Sequence, residues 1–342
     1  MKRGILVTVQ IDWDKLTFRL TPAKTMFINH CRFDEPWKAG RYVPYGPIRL
    51  SPAAAVLNYG QGIFEGLKAR RTKQNNIVLF RPIENAKRLA IGATRTSMPP
   101  YPIEDFVTVM HEIVRRNIEY VPPYKKGSLY IRPCLWGTGE ILGVAPSSEY
   151  TFLTFVSPVG SYYHGDLEPI KLVVSDVHRA APKGLGNIKF IGNYAGGLQP
   201  ANAAKARGYS GCVYLDAKEE RYVEEVGTSN FFCVINGELL TPSLNSILPG
   251  ITRESVIQLA RDVLKLTVIE RNISIDEALS AEECFCTGTA AVVTPIGVMH
   301  YKNKDTTINN FEVGPYTRQL YELLTGIQLG DREDTFHWIS SI

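Results

Sequence analysis

The sequence has no long apolar run and no surplus of one charge. None of its stretches approaches the ~20 apolar residues of a membrane-spanning helix. The apolar run near the N-terminus stops at Gln10 and Asp12, too early for the roughly 7–15-residue core of a signal peptide. Lys and Arg number 38 against 34 Asp and Glu, without a basic block. We therefore expect neither membrane nor nucleic acid as a partner, and a cytoplasmic protein unless an organelle presequence has been removed.

Cysteine is scarce, and its spacing does not suit a metal site. The six cysteines form no Cys-x-x-Cys pair, and no His/Cys spacing suits zinc, so we predict no metal. Most of them lie in apolar segments, which is typical of buried thiols in a reducing compartment. Cys284 and Cys286 alternate on a predicted strand and therefore share one face.

Composition and length indicate a globular protein of two domains. Hydrophobic residues make up 44% of the 342 residues and charged residues 21%. At about 150 residues per domain, the length predicts two domains. A polar, turn-rich segment begins near Ser157. We place an interdomain loop at residues 159–169, between an N-terminal α+β domain (1–158) and a C-terminal domain (170–342).

Hydrophobic periodicity predicts helices and strands in both halves. Helices are expected over residues 103–120 and 252–264, and Asn236-Gly237 marks a hairpin turn. The fold class is therefore predicted to be α/β, in the mixed α+β arrangement. The principal strands are expected at residues 125–136, 150–156, 170–174, 211–215 and 231–235.

The glycine-rich segment 181–194, APKGLGNIKFIGNY, first suggests a phosphate loop. A Walker loop requires GxxxxGK[ST], whereas here Lys189 follows Gly186 only after two further residues, so the nucleotide interpretation fails. What remains is Lys189 between Ile188 and Phe190. A lysine in apolar surroundings tends to lose its proton, and its neutral amine can form a Schiff base with a carbonyl. The alternative is a surface lysine whose stem covers apolar neighbours.

Two further segments and one arginine could bind an anion. Residues 250–252 open a helix whose free N–H groups suit a phosphate, although Thr252 could simply cap that helix. The segment 286–291, CTGTAA, would let backbone N–H groups approach an oxyanion, or would form a plain turn after a strand. Arg88 follows Glu84 by four residues on a predicted helix, which is also the spacing of a surface ion pair.

Two residue pairs complete the set of candidate groups. Glu224 and Glu225 are adjacent on a predicted strand, so one should point inward, where a pyridinium nitrogen would be a suitable partner; otherwise the pair is exposed at an edge. Tyr130 and Arg132 share a strand face, which suits a carboxylate ligand, or a packed tyrosine beside a solvated arginine. Together with Lys189 and the anion sites, these groups match a pyridoxal 5'-phosphate (PLP) enzyme acting on amino acids.

Seven motifs, in order, carry a resemblance to a known family. The sequence resembles the branched-chain-amino-acid aminotransferases, PLP enzymes of fold type IV, from about Trp13 to the C-terminal region. The resemblance implies a two-domain fold similar to that of D-amino-acid aminotransferase. The motifs are NYGQGIFEGLKA, LFRPIENAKRL, LYIRP, GNIKFIGNY, EEVGTSN, LPGITR and CTGTAA.

The resemblance implies a PLP site. Lys189 would be the catalytic lysine that binds PLP covalently, with Tyr194 at the ring oxygen, Glu225 at the pyridine nitrogen and Thr228 beside the ring. The groups holding the phosphate would be Arg88, the backbone amides of Ile251 and Thr252, and the Thr289 hydroxyl.

The resemblance also implies a substrate site and a homodimer. Tyr130 and the amides of Thr289 and Ala290 would bind the α-carboxylate, and Arg132 would reach the side-chain carboxylate of glutamate. The aliphatic side chain would meet Tyr59, Phe64 and Tyr162. In the family, the segment of Tyr59 can come from the partner subunit.

The implied activity is PLP-dependent transamination of leucine, isoleucine and valine with 2-oxoglutarate. It gives branched 2-oxo acids and glutamate by a ping-pong mechanism, in which Lys189 acts as general base and acid. The alternatives are another fold type IV enzyme, such as a D-amino-acid aminotransferase or an aminodeoxychorismate lyase, and a non-catalytic phosphate-ligand-binding protein.

The sequence departs from the family pattern at a few positions. Lys183 stands where the family usually has glycine, and Pro200 interrupts the helix expected after Tyr194. Cys134 and Trp136, next to Arg132, alter the pocket wall. No Cys-x-x-Cys pair occurs at residues 291–294, so we predict no thiol switch there.

Overall fold

The structure, a computed structural model, describes residues 11–160 and 167–342. Its strands are β1 Thr25–Arg32, β2 Arg41–Pro44, β3 Gly62–Phe64, β4 Leu67–Arg71, β5 Ile77–Phe80, β6 Ser128–Gly137, β7 Glu149–Val159, β8 Ile170–Val174, β9 Gly211–Leu215, β10 Val223–Val226, β11 Ser229–Ile235, β12 Glu238–Thr241, β13 Val268–Glu270, β14 Glu283–Gly288, β15 Val292–Tyr301, β16 Lys304–Thr307 and β17 Ile339–Ser341. Its α-helices are α1 Ala55–Tyr59, α2 Pro82–Arg95, α3 Ile103–Arg115, α4 Gly192–Ala195, α5 Leu198–Ala206, α6 Ile251–Asp262, α7 Ile275–Leu279 and α8 Pro315–Leu329. The mixed α/β fold class predicted from periodicity is confirmed.

The first sheet is antiparallel and has the order β17-β5-β4-β6-β7-β1-β2. Strands β3 and β4 pair with consecutive parts of β6, and the chain between them is Glu65-Gly66. Helices α2 and α3 bury their apolar faces against this sheet, in a core that includes Phe106, Met110 and Phe152. Glu65 and Gly66 therefore form a short break between two strands that share β6 as their partner.

The second sheet runs β10-β9-β8-β15-β14-β11-β12-β13, with β16 beside β15. Because β10 also pairs with β11, six of its strands close into a ring. Side chains alternate across the strands, so that Phe231 and Cys286 lie in one core while Phe232 and Phe285 pack with α6 and α8 in another. The ring therefore has a filled interior and a helical cover on one side.

The predicted elements recur with small shifts. Strands β8 and β9 have the predicted bounds, and the hairpin turn Asn236-Gly237 has positive φ at both residues, 53° and 73°. The helix predicted over 103–120 ends earlier, at Arg115. The reason is the buried Asn117, whose side chain donates to the Ile113 carbonyl and accepts two N–H groups near β1. All six cysteines are buried, as predicted.

The end of the chain returns to the first sheet. Residues Ile339–Ser341 pair with β5, although the sequence placed 170–342 in a single C-terminal domain. Trp338, just before β17, packs on Phe80 and lies in the core formed with α6 and α8. The domain boundaries stay a prediction, and this strand is the part of the second range that pairs across to the first.

The local backbone accommodates two departures from the family pattern, Lys183 and Pro200. Lys183 adopts φ 59°, the left-handed conformation that glycine takes more easily. Pro200 is the third residue of α5, within the first turn, where a backbone N–H has no helical partner to lose. The prediction that Pro200 interrupts the helix is wrong, because the chain after Tyr194 is interrupted earlier, at Gly196-Gly197 between α4 and α5, and Pro200 lies inside α5.

Residues 11–160 and 167–342 contain no helix that is long and apolar enough to cross a membrane. In the same ranges, His, Cys, Asp and Glu form no group of three or more that could hold a metal ion.

Candidate active site

Lys189 lies where the two sheets meet. The Phe64 N–H donates to the Lys189 carbonyl oxygen at 3.2 Å, and the Ile191 N–H donates to the Gly62 carbonyl at 3.1 Å. The backbone around Lys189 therefore pairs with strand β3 as a short neighbouring strand would. This pairing, between residues more than 120 positions apart, sets the direction of the lysine side chain.

The side chain of Lys189 is half-buried among aromatic rings. Its Nζ lies 3.0 Å from the Tyr194 hydroxyl and 4.9 Å from the centre of the Phe64 ring. The Tyr194 ring packs edge-on against Phe64. The apolar setting proposed for this lysine, and its neighbourhood with Tyr194, are both present.

A cavity of about 440 Å³ opens beside Lys189 between the two sheets. Glu225 lines an adjoining cavity of about 820 Å³, which Tyr194 and Thr228 share with the first. Thr228 is exposed in the two-residue turn between β10 and β11. The predicted residues that line the smaller cavity are Phe64, Arg88, Tyr130, Arg132, Lys189, Tyr194, Thr228, Ile251, Thr252, Thr289 and Ala290.

One end of the smaller cavity is built to receive an anion. Gly250 is the N-cap of α6 and provides no side-chain cap, so the first amides of this 12-residue helix stay open toward the cavity. A Cβ on Gly250 would collide with the Asn230 side-chain oxygen, so glycine is required at this close approach. Gly288 and Thr289 line the same cavity. Arg88 brings a cation to this end, where its Nη1 donates to the Pro249 carbonyl at 2.9 Å.

Arg88 is held by a buried carboxylate that the sequence analysis did not identify. Glu65, which is fully buried, binds it in a bidentate way, with distances of 2.7 Å to Nε and 2.8 Å to Nη2. Burial by itself raises the pKa of Glu65, but the charge and hydrogen bonds of Arg88 outweigh it and keep that pKa below its usual range. The Arg88–Glu84 ion pair considered as an alternative is wrong, because Glu84 pairs with Lys87.

Glu224 and Glu225 are both buried, whereas the sequence argument expected only one to point inward. Glu225 accepts hydrogen bonds from the Asn230 side chain and the Leu248 N–H, each at 3.1 Å. Its other oxygen lies 2.7 Å from Nε of Arg179, also buried. Burial raises the pKa of Glu225 to about 7, against the opposing effect of Arg179. Glu224 accepts a hydrogen bond from Ser246.

One face of β6 forms a wall of the smaller cavity. Every second residue of the strand lies on that face: Tyr130, Arg132, Cys134 and Trp136. Nη2 of Arg132 donates to the Tyr130 hydroxyl at 3.2 Å. The Arg132 guanidinium stacks on Phe64 at 4.7 Å, while its Nε is buried without a hydrogen-bond partner. Burial raises the pKa of Cys134 to about 12, so this thiol stays protonated at neutral pH.

One predicted pocket residue, Tyr59, is not brought to the cavity, and a second, Tyr162, cannot be placed. Tyr59 ends α1, is 40% exposed and does not line the cavity beside Lys189. Its hydroxyl donates to the Leu142 carbonyl, so α1 and the segment around Leu142 lie together at the surface. Tyr162 lies outside the described residues.

The groups around the cavity fit PLP. An uncapped helix N-terminus and Arg88 suit its phosphate, and a half-buried lysine amine suits its aldehyde. The buried Glu224–Glu225–Arg179 cluster has two carboxylates for one guanidinium, which suits a cationic ring nitrogen. The signal for Glu225 was its place on a strand; Glu65 and Asn230 lie inside two of the motifs but were given no role, and Arg179 had no comparable signal.

Comparison with known proteins identifies the family. The pattern of the amino-transferase class IV family matches residues 62–298. The chain is 49% identical over 331 residues to branched-chain-amino-acid aminotransferase 3, chloroplastic, of Arabidopsis thaliana, covering 96% of this chain and 80% of that one.

Two solved structures share the fold over nearly their whole length. The branched-chain amino acid aminotransferase of Escherichia coli superposes with a TM-score of 0.81 at 28% identity, covering 93% of this chain and 99% of that one. A T.th. branched-chain amino acid aminotransferase complexed with N-(5'-phosphopyridoxyl)-L-glutamate gives 0.78 at 28% identity, with 94% and 99% covered. On the matched residues, the identity and the shared fold, this chain belongs to the branched-chain-amino-acid aminotransferases of the class IV aminotransferase family.

Proposed function

We propose that this protein is a PLP-dependent transaminase that transfers the amino group of leucine, isoleucine or valine to 2-oxoglutarate. The products are a branched 2-oxo acid and glutamate, formed in two half-reactions. The observation that carries the proposal is Lys189, half-buried with its Nζ 3.0 Å from the Tyr194 hydroxyl, in a cavity that ends at the uncapped N-terminus of α6. The branched-chain aminotransferases to which the chain is similar support the same substrates.

The cofactor would be held at three points. The phosphate would be bound by Arg88, the amides of Ile251 and Thr252 and the Thr289 hydroxyl, while Glu225 would face the ring nitrogen and Tyr194 the ring oxygen. Thr228 would lie beside the ring. When bound, PLP supplies a cationic ring that takes up the negative charge left when a substrate Cα loses its proton.

Lys189 performs the proton transfer. Its amine would hold the cofactor, and Nζ, once free, would take the proton from the substrate Cα and later give it up again. The Tyr194 hydroxyl, at hydrogen-bond distance from Nζ, orients the amine for this step. The aromatic ring of Phe64 beside it excludes water from one side.

The substrate would bind along the face of β6. Tyr130 and the amides of Thr289 and Ala290 hold the α-carboxylate. Arg132 binds the side-chain carboxylate of glutamate, because its buried Nε lacks a partner and its guanidinium is stacked on Phe64. Phe64, with Tyr59 and Tyr162, meets the aliphatic side chains.

We propose that the protein works as a homodimer. Leu57, Tyr59, Leu142 and Val144 form an apolar patch, in which Leu142 and Val144 are 92% and 87% exposed. Apolar side chains exposed together in this way are typical of an interface. A second copy placed on this patch would bring Tyr59 to its partner's cavity.

Subunit mixing tests this arrangement. Tyr59→Ala and Lys189→Ala homodimers should each be weak or inactive, and mixed dimers should regain activity, because one site then combines Lys189 of one subunit with Tyr59 of the other. Mixed dimers that stay as inactive as their parents would contradict the shared site. A monomer in sedimentation equilibrium would contradict the dimer itself.

The cytoplasmic location remains part of the proposal. The Arabidopsis relative is named chloroplastic, so an organelle is the competing location. Fractionation of cells that express the full-length gene would decide, and recovery with organelles would contradict a cytoplasmic location.

Borohydride reduction of the purified holoenzyme tests the proposed reaction at its centre. Peptide mapping should recover a pyridoxyl group on Lys189 and none in Lys189→Ala; Lys183→Ala is a matched control in the same glycine-rich segment and should label normally. Leucine, isoleucine and valine should each convert 2-oxoglutarate to glutamate. Label on another lysine, or turnover of D-alanine without L-leucine, would overturn the proposal.

A further inference from the structure

Arg179 lies between Glu225 and the glycine-rich segment that leads to Lys189. It lies ten residues before Lys189, in the irregular chain after β8, and its side chain is only 7% exposed. Its Nε contacts a Glu225 oxygen at 2.7 Å. Its Nη2 donates to the Ser246 and Gly186 carbonyls. One guanidinium thus joins β10, the chain before α6 and the glycine-rich segment.

The charges around Glu225 do not balance within the described residues. Glu224 and Glu225 are both buried, and Arg179 is the cation in contact with Glu225. Lys189 acts on Glu225 from a greater distance, and Glu224 faces His178 and Asp216 as well as Arg179. When both carboxylates of this trio are ionised, the Arg179 guanidinium leaves one negative charge, which a protonated ring nitrogen would neutralise. Without the guanidinium, two adjacent buried carboxylates would not both stay ionised.

The contacts of Arg179 also fix the positions of the Glu225 carboxylate and of the glycine-rich segment. Nε of Arg179 lies 2.7 Å from one Glu225 oxygen in an ion pair without hydrogen-bond geometry, while Asn230 and the Leu248 N–H donate hydrogen bonds to the other, so both carboxylate oxygens are engaged. Gly186, whose carbonyl accepts from Arg179, is packed so closely on the Ser246 carbonyl that a Cβ would collide with it. The acid and the segment leading to Lys189 are therefore tied to one side chain.

We infer that Arg179 is a positioning residue, which keeps the negative charge on Glu225, directs that carboxylate at the cofactor ring nitrogen and fixes the glycine-rich segment that carries Lys189. This inference rests on the proposed function, because it requires Glu225 to face the ring nitrogen. It adds a group that acts on the cofactor only through Glu225.

The test measures the protonation of the ring nitrogen directly, by 15N NMR of holoenzyme loaded with PLP labelled at that nitrogen. In Arg179→Gln the signal should move toward that of a neutral pyridine, because Glu225 then takes up the proton. The kcat for leucine should fall at least about tenfold, since each unit of pKa changes the ionised fraction about tenfold. The KM for leucine should change much less, because Arg179 does not line the substrate wall.

Two further variants separate charge from fold. Arg179→Lys keeps the charge, and should restore the protonated signal and part of the kcat even if Arg179→Gln binds the cofactor poorly. Arg81→Gln removes another buried arginine, which pairs with Glu254 at 3.0 Å outside the cavity. It should lower stability without changing the 15N signal.

The outcomes are distinct. A protonated ring nitrogen in Arg179→Gln, or Arg179→Lys showing the same neutral nitrogen as Arg179→Gln, would overturn the inference. A wild-type enzyme without leucine-dependent amine transfer, or Glu225→Gln retaining a protonated nitrogen, would instead overturn the proposed function.

Discussion

Single side chains in this site act in buried pairs whose members are far apart in sequence. Glu65 holds Arg88 across 23 positions, and Arg179 holds Glu225 across 46. In each pair, a guanidinium keeps a buried carboxylate from being an isolated charge, which would be very unfavourable inside the protein. The two residues proposed to meet the cofactor, Arg88 and Glu225, therefore depend on partners that are not proposed to meet it.

The Glu65–Arg88 pair makes a prediction about stability. Glu65→Gln leaves Arg88 buried without its counter-charge, so the free energy of unfolding of the apoenzyme should fall by about 3 kcal/mol. Glu84→Gln on the same helix removes only the partly exposed pair with Lys87 and should cost less than about 1 kcal/mol. Urea denaturation measures both. Equal losses of unfolding free energy would show that the buried pair stabilises the protein no more than the partly exposed pair does.

Glu225 predicts a pH dependence of apoenzyme stability. Its pKa in the folded protein is raised to about 7 from an ordinary 4.5, so the folded state holds this proton more tightly than the unfolded chain. The free energy of unfolding should therefore fall as pH rises from 4.5 to about 7, by up to about 3 kcal/mol, and should change no further above that.

Glu225→Gln removes this titration and provides the comparison. The difference between wild-type and variant unfolding free energies should vary with pH only in that interval, because the other titrating groups cancel. Urea denaturation of the two apoenzymes across pH 4.5–8.5 measures it. A constant difference would contradict the raised pKa.

We expect Arg132 to contribute more to kcat/KM for glutamate than for leucine. Arg132→Ala should lower kcat/KM for glutamate by about a hundredfold, because a charge-assisted contact of roughly 3 kcal/mol is lost. The loss for leucine should be smaller, since its side chain needs no cation. Initial rates with each substrate measure the ratio, and equal losses would refute this role.

Among the elements, the N-terminus of α6 is central to the proposed cofactor site. The helix begins at Ile251, directly after Gly250, which closely approaches the Asn230 side chain that binds Glu225. The proposed phosphate end and the proposed ring-nitrogen end of the site are thus connected through one glycine. The short strand β3 does the same for the lysine by pairing with the backbone on both sides of it.

Gly250→Ala should weaken PLP binding at least about tenfold, the effect of losing one hydrogen bond to a charged group. The added methyl group collides with Asn230 and shifts the amides that face the phosphate. Gly196→Ala is the matched control, because no atom lies within 4 Å of a Cβ there and its φ is −61°. Fluorescence titration with PLP measures both. Equal affinities in the two variants would contradict the role of Gly250.

At the scale of the whole molecule, the site exists because the two sheets meet. Phe64, Tyr130 and Arg132 come from the first sheet, while Lys189 and the N-terminus of α6 come from the part of the chain that follows it. The last strand, β17, returns to β5 and brings Trp338 against Phe80 and under the guanidinium of Arg81. The C-terminal segment therefore helps to hold the two parts together.

Trp338→Ala tests that connection. The side chain is 7% exposed and packs in the core with α6 and α8, so its loss should lower the free energy of unfolding by about 3–5 kcal/mol. Phe33→Ala, at an exposed position after β1, should change it by less than about 0.5 kcal/mol. Chemical denaturation measures both. A small effect at Trp338 would mean that the C-terminal segment is dispensable.

Much of the local structure followed from periodicity. The helix at 252–264, the strands at 170–174 and 211–215 and the hairpin at Asn236 are each encoded by spacing within a short window, and they appear within a few residues of their predicted bounds. The cavity residues came mainly from motifs. Arg179 could not be found in this way, because it lies outside the motifs and nothing in its own window distinguishes it from a solvated charged residue. Glu65 lies inside the first motif, but its window does not show that it pairs with Arg88.

The sequence by itself determined the elements, the buried thiols and the family, because periodicity, apolar context and ordered motifs are properties of neighbouring residues. Only the tertiary structure decided that both Glu224 and Glu225 are buried, that Arg88 pairs with Glu65 rather than Glu84, and that Arg179 reaches Glu225. The physical reason is that a charge pair forms where the fold brings two buried groups within hydrogen-bond distance, and that distance is set by the packing of the two sheets.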